Sequence, residues 1–134
     1  MDVVFDVNVL VSALITKGKP KELWLKSVRK EFNLVCSREI LDEFMSVINR
    51  QKIQRYTEAK DLVDFLETLN STASFVHIRT KVNVVRDPED NAILATAYDG
   101  RANYIVSGDI HLLKLKVFKG IKIITVDRAL RLQK

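Results

Sequence analysis

Within the stretch VRDPEDNAILATAYDGRANYIVSGDIHLL, Val85–Leu113, Asp87 and Asp90 open a predicted helix, and Asp109 follows a short apolar run, Tyr104–Val106, and a Ser-Gly turn. The same order of apolar strand, acid and helix recurs at the N-terminus, where Val3–Phe5 runs into Asp6-Val7-Asn8. Carboxylates gathered from such places repel one another, so one of them keeps its proton or a cation is shared among them. All-oxygen donors suit Mg²⁺ or Mn²⁺. The residue types therefore point to a divalent-metal site.

Each acid also has a plain structural explanation. Asp87, with Pro at the first helical position and an acid three residues on, resembles a capping box. Asp109 could cap a helix beginning at His111, and Asn8 one beginning at Val9. Acids at helix N-termini are favoured by about 0.3–1 kcal/mol each. Asp6 differs. It directly follows Val-Val-Phe, where burying a carboxylate is costly without compensation, and it stands two residues before a cap, so a cation explains it better. Glu43, three after Ile40 and four before Val47, borders the apolar stripe of its helix, whereas Glu39 and Asp42 point towards water. A solvated rim position would explain Glu43 as well.

Other chemistries find little support. His77 and His111 are near no Cys and are not spaced as a zinc pair. There is no Gly-rich phosphate loop and no Gly-x-Ser-x-Gly elbow. The single Cys36, inside Leu34-Val35-Cys36, cannot form an internal disulfide and reads as a small buried hydrophobe.

The elements that must position the acids follow from periodicity. Asp2–Phe5, Phe32–Cys36, Phe75–Ile78, Tyr104–Val106 and Ile121–Thr125 read as five buried strands. Between them, helices run from Asn8 through Leu14, over Leu23, Trp24, Val28 and Phe32, from Ser37 through Ile48, over Leu62–Leu69 and from Asp87 to Asp99-Gly100, where Gly is placed as a C-terminal cap. Lys17–Pro20 reads as a turn, His111–Phe118 as a short helix and Arg128–Leu132 as a final helical turn. Strands alternating with helices argue for a parallel sheet covered on both faces. Ligands of such sheets sit outside the carboxyl ends of the strands. Asp6 and Asp109 follow strands directly and lie on that edge, and Asp90 can reach it from its helix.

The totals agree with one domain over residues 1–134. Four Gly and two Pro leave no candidate for a flexible linker. No apolar run approaches the roughly 18–20 residues that cross a bilayer, and Asp2 directly after Met1 lacks the basic start of a signal peptide. A cytoplasmic protein that avoids the membrane is expected. Residues 101–134 carry eight Lys/Arg against Asp109 and Asp127, so the whole formal charge of +5 comes from the last quarter of the chain. That distribution suits a phosphate backbone, and equally a solvated basic surface.

Four segments occur in order: Phe5-Asp6-Val7-Asn8-Val9-Leu10-Val11-Ser12, the helix Glu39–Val47 with Glu43, Asp87-Pro88-Glu89-Asp90-Asn91, and Ser107-Gly108-Asp109 with Leu112-Leu113. Together they resemble a PIN domain, the metal-dependent ribonuclease family that includes the VapC-type toxins of toxin–antitoxin pairs. The resemblance implies an α/β fold, a three-layer α/β/α sandwich with a central parallel five-stranded sheet. It implies that Asp6, Glu43, Asp90 and Asp109 hold one or two Mg²⁺ or Mn²⁺ ions. Asn8 would support Asp6 and a bound water, Ser107 would sit beside Asp109, and Asp87 would stand at the margin. The expected substrate is RNA, held along its backbone by Arg50, Lys52, Arg55, Lys114 and Lys116. A small antitoxin is the implied partner, and a homodimer would draw apolar area from Trp24 and the Phe65–Leu69 face. Val7 stands where a small hydroxyl residue is common in the family, and Asp127 near where many relatives have Pro.

Two other readings use the same residues. Asp-x-Asn after a first strand is weakly similar to haloacid-dehalogenase-type phosphatases, in which Asp6 would be a phosphorylated nucleophile. A PIN-like fold that only binds RNA or protein is the second. Within the nuclease reading, an RNA-processing enzyme without an antitoxin stands open beside the toxin.

Overall fold

The structure, a computed structural model, describes residues 1–132. In chain order it comprises β1 (Asp2–Phe5), α1 (Val7–Ile15), α2 (Lys19–Val28), β2 (Asn33–Ser37), α3 (Arg38–Ile48), α4 (Gln51–Gln54), α5 (Ala59–Thr72) and β3 (Ser74–Val76). There follow α6 (Pro88–Asp99), β4 (Tyr104–Val106), α7 (Ile110–Leu113), β5 (Val117–Phe118), β6 (Ile121–Ile124) and α8 (Val126–Leu130). The strands form one sheet in the order β3-β2-β1-β4-β6-β5, parallel except for the β5–β6 pair. Val3, Val4 and Phe5 are buried in succession, as are Ile105 and Val106. Neighbouring residues of a strand point to opposite faces, so helices cover the sheet on both sides, giving the three layers.

The chain leaves β1 for β2 and β3 on one side and then returns to β4 on the other, so β1 and β4 flank the point where strand order reverses. Phe5 pairs with Val106, and the Asp6 N–H donates to the Val106 carbonyl at 3.0 Å. The residues just past both strands are thereby neighbours at the crevice where such sheets bind ligands.

Several local expectations change. The sheet has six strands rather than five. The expected helix His111–Phe118 ends at Leu113, and Val117–Phe118 forms an antiparallel hairpin with β6. Its two-residue turn, Lys119-Gly120, has positive φ at both positions, 48° and 83°, the sense that matches strand twist. Asp6, not Asn8, caps α1: its carboxylate accepts from the Val9 N–H at 2.9 Å, and Asn8 lies inside the first turn. Lys19 and Pro20 begin α2 instead of a turn, and Phe32 lies beyond that helix's end. Trp24, Phe65 and Leu69 are buried, and the Trp24 and Phe65 rings stack at 4.3 Å with Phe44 beyond them. They form core and supply no surface for pairing two copies.

Gly100 ends α6 with an ordinary φ of −85° and leaves the left-handed position to Arg101, φ 53°. Glycine is needed there for space. A Cβ would stand 2.7 Å from a Val35 methyl, 2.9 Å from a Val76 methyl and 2.8 Å from the Thr96 carbonyl oxygen, which the helix backbone fixes. Gly100→Ala should cost about 1–3 kcal/mol of stability, and urea unfolding would read this as a lower midpoint with an unchanged slope.

Candidate active site

Asp6 leaves β1 directly into α1 and is buried. One carboxylate oxygen accepts from Val9, and the other accepts the hydroxyl of Ser107, itself fully buried at the end of β4. Burial pushes the Asp6 carboxyl above its ordinary range. The Ser107 and Val9 hydrogen bonds pull it back, and nearby Asp109 pushes it up again. Ser107 also accepts from the Asp109 N–H at 2.9 Å, so one hydroxyl ties the ends of β1 and β4 together. Asp109 in turn caps α7 through the His111 N–H at 2.8 Å.

The second half of the site comes from α6. Asp87 caps it through the Glu89 N–H at 2.9 Å. The segment leading into that cap is pinned from two places. Buried Asn91 donates to the Val85 carbonyl at 2.7 Å and accepts from the Val84 and Val85 N–H groups, while Asp99 accepts from Arg79 and from both the N–H and the hydroxyl of Thr80. Asp90, one residue before Asn91, is thereby held at the cleft. Burial, then the charges of Asp109 and Asp87, push its carboxyl up to about 7.

Glu43 comes from α3, placed by buried Ile40 and Phe44 on the same helix. The two helices are locked by Ser37, whose side chain accepts from the Ile40 N–H and from the Thr96 hydroxyl, the latter at 2.8 Å in the interior. Glu89 approaches from α6. Its carboxyl is raised by partial desolvation and by Glu43 beside it.

These side chains line a cleft of about 180 Å³: Asp6, Asn8, Glu43, Asp87, Glu89, Asp90 and Asp109, with Arg50 the one basic residue among them. Among the described residues no three Asp, Glu, His or Cys side chains are already drawn together as a metal-holding set. The donors nevertheless fit a hard divalent ion in kind, being almost all carboxylate, and their mutual repulsion is what such an ion would relieve.

The cleft thus gathers Asp6, Asn8, Glu43, Asp87, Asp90, Asp109 and Arg50, with Ser107 beneath the acids. Asn8 touches Asp6 through its backbone N–H, while its side chain is exposed. Lys114 lines an adjoining cleft of about 500 Å³, together with Arg86, Asp87, Asp90, Asp109 and His111. Lys52, Arg55 and Lys116 are exposed and line neither cleft. Glu89, Arg86 and His111 were not singled out from the sequence. The first two immediately flank the Asp87-Pro88 start of α6, the one local signal that could have marked them.

Residues 2–111 match the PIN domain family. An uncharacterized protein of Methanocaldococcus jannaschii is 29% identical over 116 residues, which span 85% of this chain and 74% of that relative. A chain in the crystal structure of VapBC2 from Rickettsia felis, bound to a DNA fragment from their promoter, superposes with a TM-score of 0.63 over 93% of this chain and 98% of that one. At 15% identity that likeness is one of fold. With a family match over most of its length and an acid-lined cleft at the switch point of a PIN-like sheet, the chain belongs to the PIN domain family, whose members are generally nucleases.

Proposed function

We propose that this chain is a Mg²⁺- or Mn²⁺-dependent endoribonuclease and the toxin of a toxin–antitoxin pair, acting in the cytoplasm. The observation that carries the reading is the convergence of Asp6, Glu43, Asp90 and Asp109, from four separate elements, on one cleft at the sheet's switch point. These four would hold one or two ions, which when bound supply activated water and neutralise charge on the departing oxygen. Asp6 is a fixed anchor, because both its oxygens are already oriented by Val9 and Ser107. The same engagement makes it a poor candidate for a phosphorylated nucleophile. Asp90 must give up its proton to serve as a ligand. Asn8, exposed at the cleft, is available to orient water. Arg50, which lines the acid cleft, and Arg86 and Lys114, which line the adjoining one, would neutralise phosphates of an RNA strand crossing the acids.

The likeness of fold to the VapBC2 chain supports the toxin assignment, whose partner would be a small antitoxin. Growth arrest on expression, relieved by co-expressing a neighbouring antitoxin, is the expected behaviour.

The nuclease reading is tested with end-labelled RNA. Cleavage should occur with Mn²⁺ or Mg²⁺ and stop in EDTA. Glu43→Gln should raise the Mn²⁺ concentration needed by at least the roughly 10–100-fold that losing a supporting partner costs. Cleavage that survives EDTA, or an unchanged metal requirement in this variant, would refute it.

A further inference from the structure

At the other end of the sheet lies a cleft of about 740 Å³, lined among others by Tyr98, Arg101, Tyr104, Lys119 and Lys122. Tyr104 begins β4, Lys122 lies near the start of β6, and Tyr98 and Arg101 stand at the C-terminal end of α6. Because β4 and β6 run parallel to β1, this cleft sits at the amino ends of the strands whose carboxyl ends carry the acids. The basic last quarter of the chain is thereby divided, with Lys114 at the acids and Lys119 and Lys122 at the opposite pole.

Two features make this cleft more than a solvated surface. Arg101, Lys119 and Lys122 stand together, and none of them has an ion pair among the described residues. Two acids at this end of the sheet are engaged elsewhere, Asp2 with Asn33 and Asp99 with the Arg79–Thr80 backbone. A cation also stands beside an exposed ring: the Lys119 ammonium lies 5.7 Å from the ring centre of Tyr98, a residue 43% exposed.

We propose that this cleft is a second nucleic-acid site, which grips single-stranded RNA by phosphate and base away from the acids. It rests on the reading of RNA as the substrate. Arg and Lys neutralise phosphates, and an exposed tyrosine face accepts a stacked base whatever its identity. An acidic peptide is the poorer fit. β1, β4 and β6 are all interior strands, so no unpaired edge is offered to an extended chain, and an exposed ring adds little to carboxylate binding. A long RNA would be held at both poles, and a short one at the acids alone.

The test measures binding and cleavage separately. In EDTA, the anisotropy of a fluorescein-labelled uridine RNA of about twenty nucleotides reports affinity for the intact chain, where K119E/K122E should weaken binding at least about tenfold at low salt and lessen the salt slope by about 0.7 per lost phosphate contact. Tyr98→Leu should weaken it between about five- and a hundredfold. All three positions are exposed, and melting curves confirm folding. Cleavage of an oligonucleotide of about four residues, which fills the acid cleft only, should proceed at the wild-type rate in both variants. Unchanged affinity in both variants overturns the second site and leaves the nuclease reading standing, as does a poly-glutamate peptide binding this cleft in place of RNA. Cleft-dependent RNA binding by a chain that never cleaves RNA would instead uphold the second site and sink the nuclease reading.

Discussion

Asp90→Asn is expected to abolish metal-dependent RNA cleavage while raising the melting temperature of the metal-free protein at pH 8. The first effect follows if Asp90 is the ligand proposed, because the variant removes its charge from an ion that would contribute several kcal/mol to the transition state, a loss on the order of a thousandfold. The second follows from where Asp90 sits. Burial and the carboxylates of Asp109 and Asp87 push it up to about 7 from an ordinary 3.8. The folded chain therefore holds this proton more tightly than the unfolded chain does, and stability falls as pH rises wherever the folded state carries the extra proton. That window runs from about pH 4 to about pH 7. Below it both states are protonated, and above it the full penalty of the ionised, crowded carboxylate is present. Asn removes the penalty, so the variant should melt higher by a few degrees at pH 8 and converge with the wild type near pH 4. Mn²⁺ should reverse the order, stabilising the wild type more than the variant, since only the wild type offers the full charge to the ion. A variant less stable than wild type at pH 8 without metal would show that Asp90 is held by attraction rather than crowding, and the proposed site would have to be redrawn.

This opposition of stability and function explains what the sequence could and could not disclose. β1 and β4 were legible because Val-Val-Phe and Tyr-Ile-Val are continuous apolar runs, the mark of strands buried on both faces. The acids behind them were legible for the same reason, since a carboxylate there contradicts its surroundings. The division of labour between Asp6 and Asn8 was not. Both are good cap residues two positions apart, and the choice is made by Ser107, about a hundred residues away in sequence, which orients the Asp6 carboxylate. The expectation that Asp6 serves a cation instead of capping posed a false alternative. One oxygen caps α1 while the carboxylate still lines the cleft. Glu89 escaped notice because its significance is its proximity to Glu43 on another helix. β5 escaped because two residues between lysines carry no period, and it exists only through register with β6. Trp24 and Phe65 had the spacing of an amphipathic face, but spacing cannot say whether that face meets the same chain or a second copy.

Ser107→Ala should separate the two tasks that converge on one buried hydroxyl. The Ser107 side chain donates to the Asp6 carboxylate and accepts from the Asp109 N–H. Its loss leaves a buried carboxylate short of one hydrogen bond and a loop N–H without its acceptor, which together should cost roughly 1–3 kcal/mol. The Asp6 carboxyl already lies above its ordinary range, and the Ser107 hydrogen bond is the strongest influence drawing it down. Without it the group rises further and ionises later as pH increases. The hydroxyl favours the ionised form, so the stability it contributes is present where Asp6 is charged and fades as pH falls and the carboxyl takes up its proton. The variant's deficit against wild type should accordingly grow with pH. Cleavage should fall roughly 10–100-fold at neutral pH and recover part of that loss in alkaline buffer, because the acid limb of the pH–rate profile moves up with Asp6. A residue that merely held the fold would lower activity by the same factor at every pH. A parallel downward shift of the whole profile would therefore deny Ser107 any role in poising Asp6, even if the variant were as unstable as expected.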